Sequence, residues 1–125
     1  KETIDKAYKR YASFDKKSEG CQVIDPEFRY LYLNDTTVTQ SRKTKEELLG
    51  KSMMESYPGI EKGELFIKIK KCLETKTMQK MENKFTYPDG KIGYFDLKFQ
   101  PVEEGVFIFS VDVSEGMAAM DKIRT

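Results

Sequence analysis

The run Gly105-Val106-Phe107-Ile108-Phe109-Ser110-Val111-Asp112-Val113-Ser114-Glu115 constrains this chain more than any other. β-Branched and aromatic residues dominate it, and from Val106 to Phe109 both faces of an extended segment are apolar. Such a strand belongs where it is covered on two sides or in the middle of a sheet. The pattern then changes period. Ser114 suits a helix N-cap, Glu115 suits the positive end of a helix dipole, and Met117, Met120 and Ile123 come after it at helical spacing. A central strand running straight into an exit helix can pass strain from a core to the chain beyond it.

The remaining elements fit around that strand. Ile4, Ala7, Tyr8, Tyr11 and Phe14 make one stripe of an amphipathic helix over 1–16, able to pack on the domain or on a second copy. Cys21–Ile24 and Tyr30–Leu33 read as a hairpin around the turn at Asp25-Pro26-Glu27. Asn34 fits the N-cap of a short helix to about residue 42. Thr44 and Glu47 form a capping box, with Gly50 at the left-handed position beyond the helix. Residues 35–60 are thus a string of short helices, as in a chain wrapping a cavity. The long helix is 64–76, with Leu65, Phe66, Ile69, Cys72 and Leu73 on its apolar face and Lys68, Lys70 and Lys71 on a solvated one. Strands at 79–87 and 93–101 alternate cleanly around Pro88-Asp89-Gly90, completing an antiparallel α+β fold.

Composition narrows the function. With 22 basic and 21 acidic residues the net charge is +1, which argues against a nucleic-acid surface or a polybasic membrane anchor. No long apolar stretch or signal-peptide pattern appears. The chain has no histidine, so the commonest general base, zinc ligand and haem ligand are all missing. Cys21 and Cys72 read as two buried thiols in a reducing cytoplasm. No triad, phosphate loop or metal cluster is present, and the expectation is a regulatory module rather than an enzyme.

Five short motifs carry a family resemblance over residues 18–115. They are Asp25-Pro26-Glu27-Phe28-Arg29-Tyr30-Leu31-Tyr32-Leu33-Asn34, Lys45-Glu46-Glu47-Leu48-Leu49-Gly50-Lys51, Tyr87-Pro88-Asp89-Gly90, Phe99-Gln100-Pro101-Val102 and Asp112-Val113-Ser114-Glu115. In this order and spacing the chain resembles a PAS (per-arnt-sim) domain of the kind found in sensory histidine kinases. The resemblance implies a PAS/profilin-like fold: a five-stranded antiparallel sheet, its last strand central, with the short helices and the long helix on one face. It divides the chain into a cap helix (1–17), a sensor domain (18–114) and the start of a signalling helix (115–125). It further implies a cytoplasmic role upstream of an effector domain in cis. Separately, the helices at 1–16 and 115–125 are expected to pair across two copies in a homodimer. Haem held by histidine is excluded, a covalent flavin adduct is not expected because Met53 to Tyr57 contains no cysteine, and no other cofactor is specified.

The candidate ligand pocket comprises Met53, Tyr57, Phe66, Ile69, Leu73, Asn83, Phe85, Leu97 and Phe109. Plain core packing explains the same stripes. Asn83 stands out as the one amide on an apolar strand face, where it must bond to backbone or read a ligand. Asp112 and Ser114 are the candidate relay into the exit helix. A ligand-free dimerisation module is the alternative reading.

Overall fold

A computed structural model describes residues 2–116; Met117, Met120 and Ile123 of the expected exit helix lie outside them. The elements run α1 (Glu2–Arg10), a 3-10 turn (Ala12–Phe14), β1 (Gly20–Ile24), β2 (Tyr30–Leu33), α2 (Asp35–Ser41), α3 (Lys45–Leu48), α4 (Met53–Ser56), a second 3-10 turn (Ile60–Lys62), α5 (Glu64–Thr75), β3 (Gln79–Thr86), β4 (Ile92–Val102) and β5 (Gly105–Asp112). The five strands form one antiparallel sheet in the order β2-β1-β5-β4-β3, so the doubly apolar strand is central.

Each face of β5 has its own core. Val106 and Ile108 join Ile24, Phe95, Leu97 and Phe99 beneath Leu48, Met53, Ile69 and Cys72 of the helices. Phe107 packs on the other side with Cys21, Val23, Tyr32, Ala7 and Tyr11. Gly105 opens the strand at φ 151°, and a Cβ there would collide with the Ile24 carbonyl oxygen. Only glycine lets β5 enter this close beside β1.

The N-terminal stripe packs on its own domain. The Tyr11 ring lies 5.2 Å from that of Phe107 and the Phe14 ring 5.0 Å from it, while the Tyr8 hydroxyl donates to the Leu33 carbonyl at 3.1 Å. The α-helix ends at Arg10 rather than near residue 16. A 3-10 turn eclipses residues three apart, and this brings both Tyr11 and Phe14 onto Phe107.

Asn34 joins these parts. It is fully buried, its Oδ1 accepts from Thr37 N at 3.0 Å and Cys21 N at 2.9 Å, and its Nδ2 donates to the carbonyls of Phe14 (2.8 Å) and Glu19 (3.0 Å). One side chain thus caps α2, holds β1 and anchors the N-terminal segment. The capping box at Thr44 and Glu47 forms as expected, and Gly50 takes φ 80°. A second box, Ser52 with Glu55, starts α4.

Candidate functional site

The short helices stop short of β3, leaving a cleft of about 1070 Å³ on the helical side of the sheet. Its floor comes from β1 and β2 through Gln22, Tyr30 and Leu33. Its walls are the end of α2 (Ser41 to Lys43), the α4 region (Met53, Ser56 and Tyr57), the start of α5 (Leu65) and β3 with its turn (Met81, Asn83, Phe85 and Tyr87). A recess of about 120 Å³ continues inward to Phe95, Leu97, Ile108 and Ser110.

Strand register decides which side chains face this space. Met81 opposes Leu97 and Asn83 opposes Phe95, so alternate residues of β3 and β4 share the helical face. Leu97 in turn pairs with Ser110 and Phe99 with Ile108. The even positions of β5 therefore face the helices, and the odd ones point away. Phe109 is accordingly not a pocket residue: it stacks near Phe107 at 4.5 Å and packs with the N-terminal segment. With both faces of this strand apolar, its sequence offers no alternation from which to choose.

Of the other expected pocket residues, Met53, Tyr57, Asn83 and Phe85 line both cleft and recess, and Leu97 lines the recess. Ile69 is fully buried in the core and Leu73 packs against it, so both support the wall from behind. Phe66 turns aside to stack on Phe28, with ring centroids 4.2 Å apart. The structure adds Gln22, Tyr30, Ser56 and Ser110, each a polar residue among apolar neighbours.

The polar groups fall into two sets. Thr37 Oγ1 donates to the Cys21 carbonyl, Gln40 Nε2 to the Ser110 carbonyl, and the Tyr87 hydroxyl to the Gln40 carbonyl, all within the fold. The side chains of Gln22, Tyr57, Asn83 and Ser110, by contrast, make no hydrogen bond among the described residues, and the buried Ser56 Oγ has no partner there. Burial pushes the hydroxyl pKa values of Tyr30 and Tyr57 upward, so both remain neutral donors. Charge is confined to the mouth. There Arg42 lies 3.7 Å over the Tyr87 ring while pairing with Asp89 at 3.0 Å, and Lys43 lies 5.3 Å over Tyr57. Among the described residues, no cluster of side chains could hold a metal ion.

The relay candidates meet at the end of the sheet. The β4–β5 ladder stops at Phe95 and Asp112, so the Tyr94 main chain must find its partners in the segment after β5. Val113 N donates to the Tyr94 carbonyl at 2.8 Å, and Ser114 Oγ accepts from Tyr94 N at 2.9 Å. Asp112 Oδ1 accepts the Ser114 N–H at 2.9 Å. Ser114 thus begins the helical turn at 114–116 and also clips it to the sheet.

Comparison with known proteins agrees with this architecture. No curated protein sequence matches the chain. Among solved structures it resembles the Rhodobacter sphaeroides LOV protein, with a TM-score of 0.70 and 16% identity over 94% of this chain and 76% of that one. It also resembles Vibrio cholerae VqmA, a LuxR-type receptor, with a TM-score of 0.72 and 17% identity over 86% of this chain and 52% of that one; VqmA has also been solved bound to DPO. A third neighbour is a PAS domain from a two-component sensor histidine kinase, with a TM-score of 0.59 and 14% identity over 90% of this chain and 99% of that one. At these identities the likeness is one of fold. The family model for the PAS fold matches residues 14–116, and the chain belongs to the PAS fold family.

Proposed function

We propose that this domain is the sensory module of a cytoplasmic signal-transduction protein, one that binds a small molecule in the cleft between the helices and β3–β5. The supporting observation is a cleft of about 1070 Å³ whose lining sets the polar side chains of Gln22, Tyr57, Asn83 and Ser110 beside apolar walls, and where Ser56 Oγ is buried without a hydrogen-bond partner among the described residues. Binding pockets share this design, apolar walls with a few converging polar groups. VqmA, which is similar in fold, is bound to DPO in one solved structure.

In this reading occupancy is felt by Ser110, passes along β5 to Asp112 and Ser114, and reaches an effector in cis, a histidine kinase being the parent suggested by one neighbour. The domain itself performs no catalysis. Any homodimer through the terminal helices uses the segment after 116 or the charged side of α1, because the apolar stripe of α1 is covered by its own domain. A thermal-shift screen of small metabolites tests the proposal: at least one raises Tm by several degrees through preferential binding to the folded state. A screen in which no compound shifts Tm, and none perturbs backbone amide resonances of the cleft, refutes it.

A further inference from the structure

The face of the sheet turned away from the cleft carries an ordered charge pattern that the fold itself does not use. Register sets Lys80 of β3 directly opposite Lys98 of β4, and Glu82 directly opposite Asp96. Like charges in opposed positions destabilise an antiparallel pair, so the arrangement works against the single chain. All four residues are exposed, and none of them forms an ion pair among the described residues. Charge on an edge strand discourages unwanted strand pairing, and β3 is an edge strand. Edge protection does not account for the matching sign on β4, one strand further in.

The pattern extends onto the central strand in apolar form. Lys98 pairs with Phe109, and Asp96 pairs with Val111. Phe109 is partly covered by Phe14, whereas Val111 is 42% exposed. Three strands thus carry two adjacent rows, a basic one of Lys80, Lys98 and Phe109 and an acidic one of Glu82, Asp96 and Val111, and both line one open depression.

Such a surface complements itself. Consider two of these faces brought together about a two-fold axis that runs across the strands, midway between the rows. The axis exchanges the rows, so the lysines of each copy meet the carboxylates of the other and Val111 of each meets Phe109 of the other. An axis along the strands would lay each row on its own sign. Isologous two-fold contacts are the commonest kind between identical chains, and the charges here select one of them.

We propose that this face docks a second copy of the chain, with the strands of the two copies antiparallel and basic row on acidic row. The surface is separate from the terminal helices and needs nothing bound in the cleft. Three short strands make a small, solvent-rimmed contact, so the association is weak. Charge sets its register and makes it sensitive to salt.

Charge exchange tests this docking. Lys80→Glu with Lys98→Glu makes both rows acidic, and Glu82→Lys with Asp96→Lys makes both basic. Each double variant keeps like charges opposite across the strands, so circular dichroism is expected to show the native fold while self-docking is opposed. By sedimentation equilibrium the native chain associates at about 0.03 M salt, and its Kd rises at least about tenfold at about 0.5 M, where screening is far shorter in range. Each variant alone has a Kd at least about tenfold above the native value, and an equimolar mixture of the two associates at least as tightly as the native chain. On dilution of the native chain, amide resonances shift at Lys80, Glu82, Asp96, Lys98 and Val111. A native chain that stays monomeric at millimolar concentration and low salt overturns the proposal, as does a mixture no tighter than its separate components. A dimer whose shifts fall only on α1 and the turn at 114–116 assigns the contact to the terminal helices and overturns it too.

Discussion

Removing the Asn34 side chain is the most informative single perturbation of this fold. In Asn34→Ala the N–H groups of Cys21 and Thr37 and the carbonyls of Phe14 and Glu19 lose their partner inside a site with no solvent exposure. Each buried group left unsatisfied costs about 1–3 kcal/mol. The vacated volume is polar and can admit one water, which makes about three hydrogen bonds. The net loss is therefore about 3 kcal/mol, well below the sum of four separate penalties. That is a large part of the 5–15 kcal/mol typical of a domain, and at about 2.1 cal/mol/K per residue it lowers Tm by roughly 10 °C.

Urea unfolding monitored by circular dichroism measures the change, with an unaltered m-value as the check that the folded state is intact. Asn34→Asp adds a pH signature. The second carboxylate oxygen would face two carbonyl oxygens, so the folded state favours the protonated acid and raises its pKa above the unfolded value of about 3.9. The stability of this variant is then greatest below that value. It falls as pH rises, by up to about 1.4 kcal/mol per unit, until the folded pKa is passed. A loss under about 1 kcal/mol for the alanine variant, against the 1–3 kcal/mol expected per orphaned group, would refute the reasoning. A pH-independent difference for the aspartate variant would do the same.

Gly105→Ala drives a Cβ into the Ile24 carbonyl at the start of the central strand and destabilises the fold by at least about 2 kcal/mol, read from the urea midpoint. Burial raises the hydroxyl pKa values of Tyr11, Tyr30 and Tyr32 above their unfolded value of about 10. The stabilisation from their neutral forms is complete below pH 10 and is lost as pH rises further, so ultraviolet titration shows these three of the seven tyrosines ionising only with unfolding. Burial likewise pushes the Cys21 thiol to about 11 and the Cys72 thiol upward. Iodoacetamide at pH 8 therefore leaves both unmodified in the native chain and labels both in urea, as read by mass spectrometry.

Much of this fold is visible in local pattern. Residues 79–102 alternate because one face of β3 and β4 meets solvent, and the turn at Pro88-Asp89-Gly90 sets their pairing. The Thr44 box and the stripe of α5 arise from helix chemistry alone. The Ser52–Glu55 box has the same S-x-x-E spacing and is equally legible. The face of Phe109 is not, since it depends on register with β4 rather than on anything within β5. Asn83 stands out in the sequence as a polar residue interrupting an apolar face. Gln22 and Ser110 interrupt apolar strands in the same manner, yet only the pairing of β1 with β5 brings them to the helical side. The relay at Tyr94 is also tertiary: it exists because β4 outruns its ladder with β5.

The cleft can be interrogated through its methionines. Met53 and Met81 line it, whereas Met78 lies exposed just before β3 and away from the lining. With 13C-methyl methionine in the chain and the compound that most raises Tm, shifts and intermolecular Overhauser contacts are expected at Met53 and Met81 and none at Met78. Contacts at Met78 alone, or a thermal shift with Met53 and Met81 unmoved, would contradict ligand binding in the cleft.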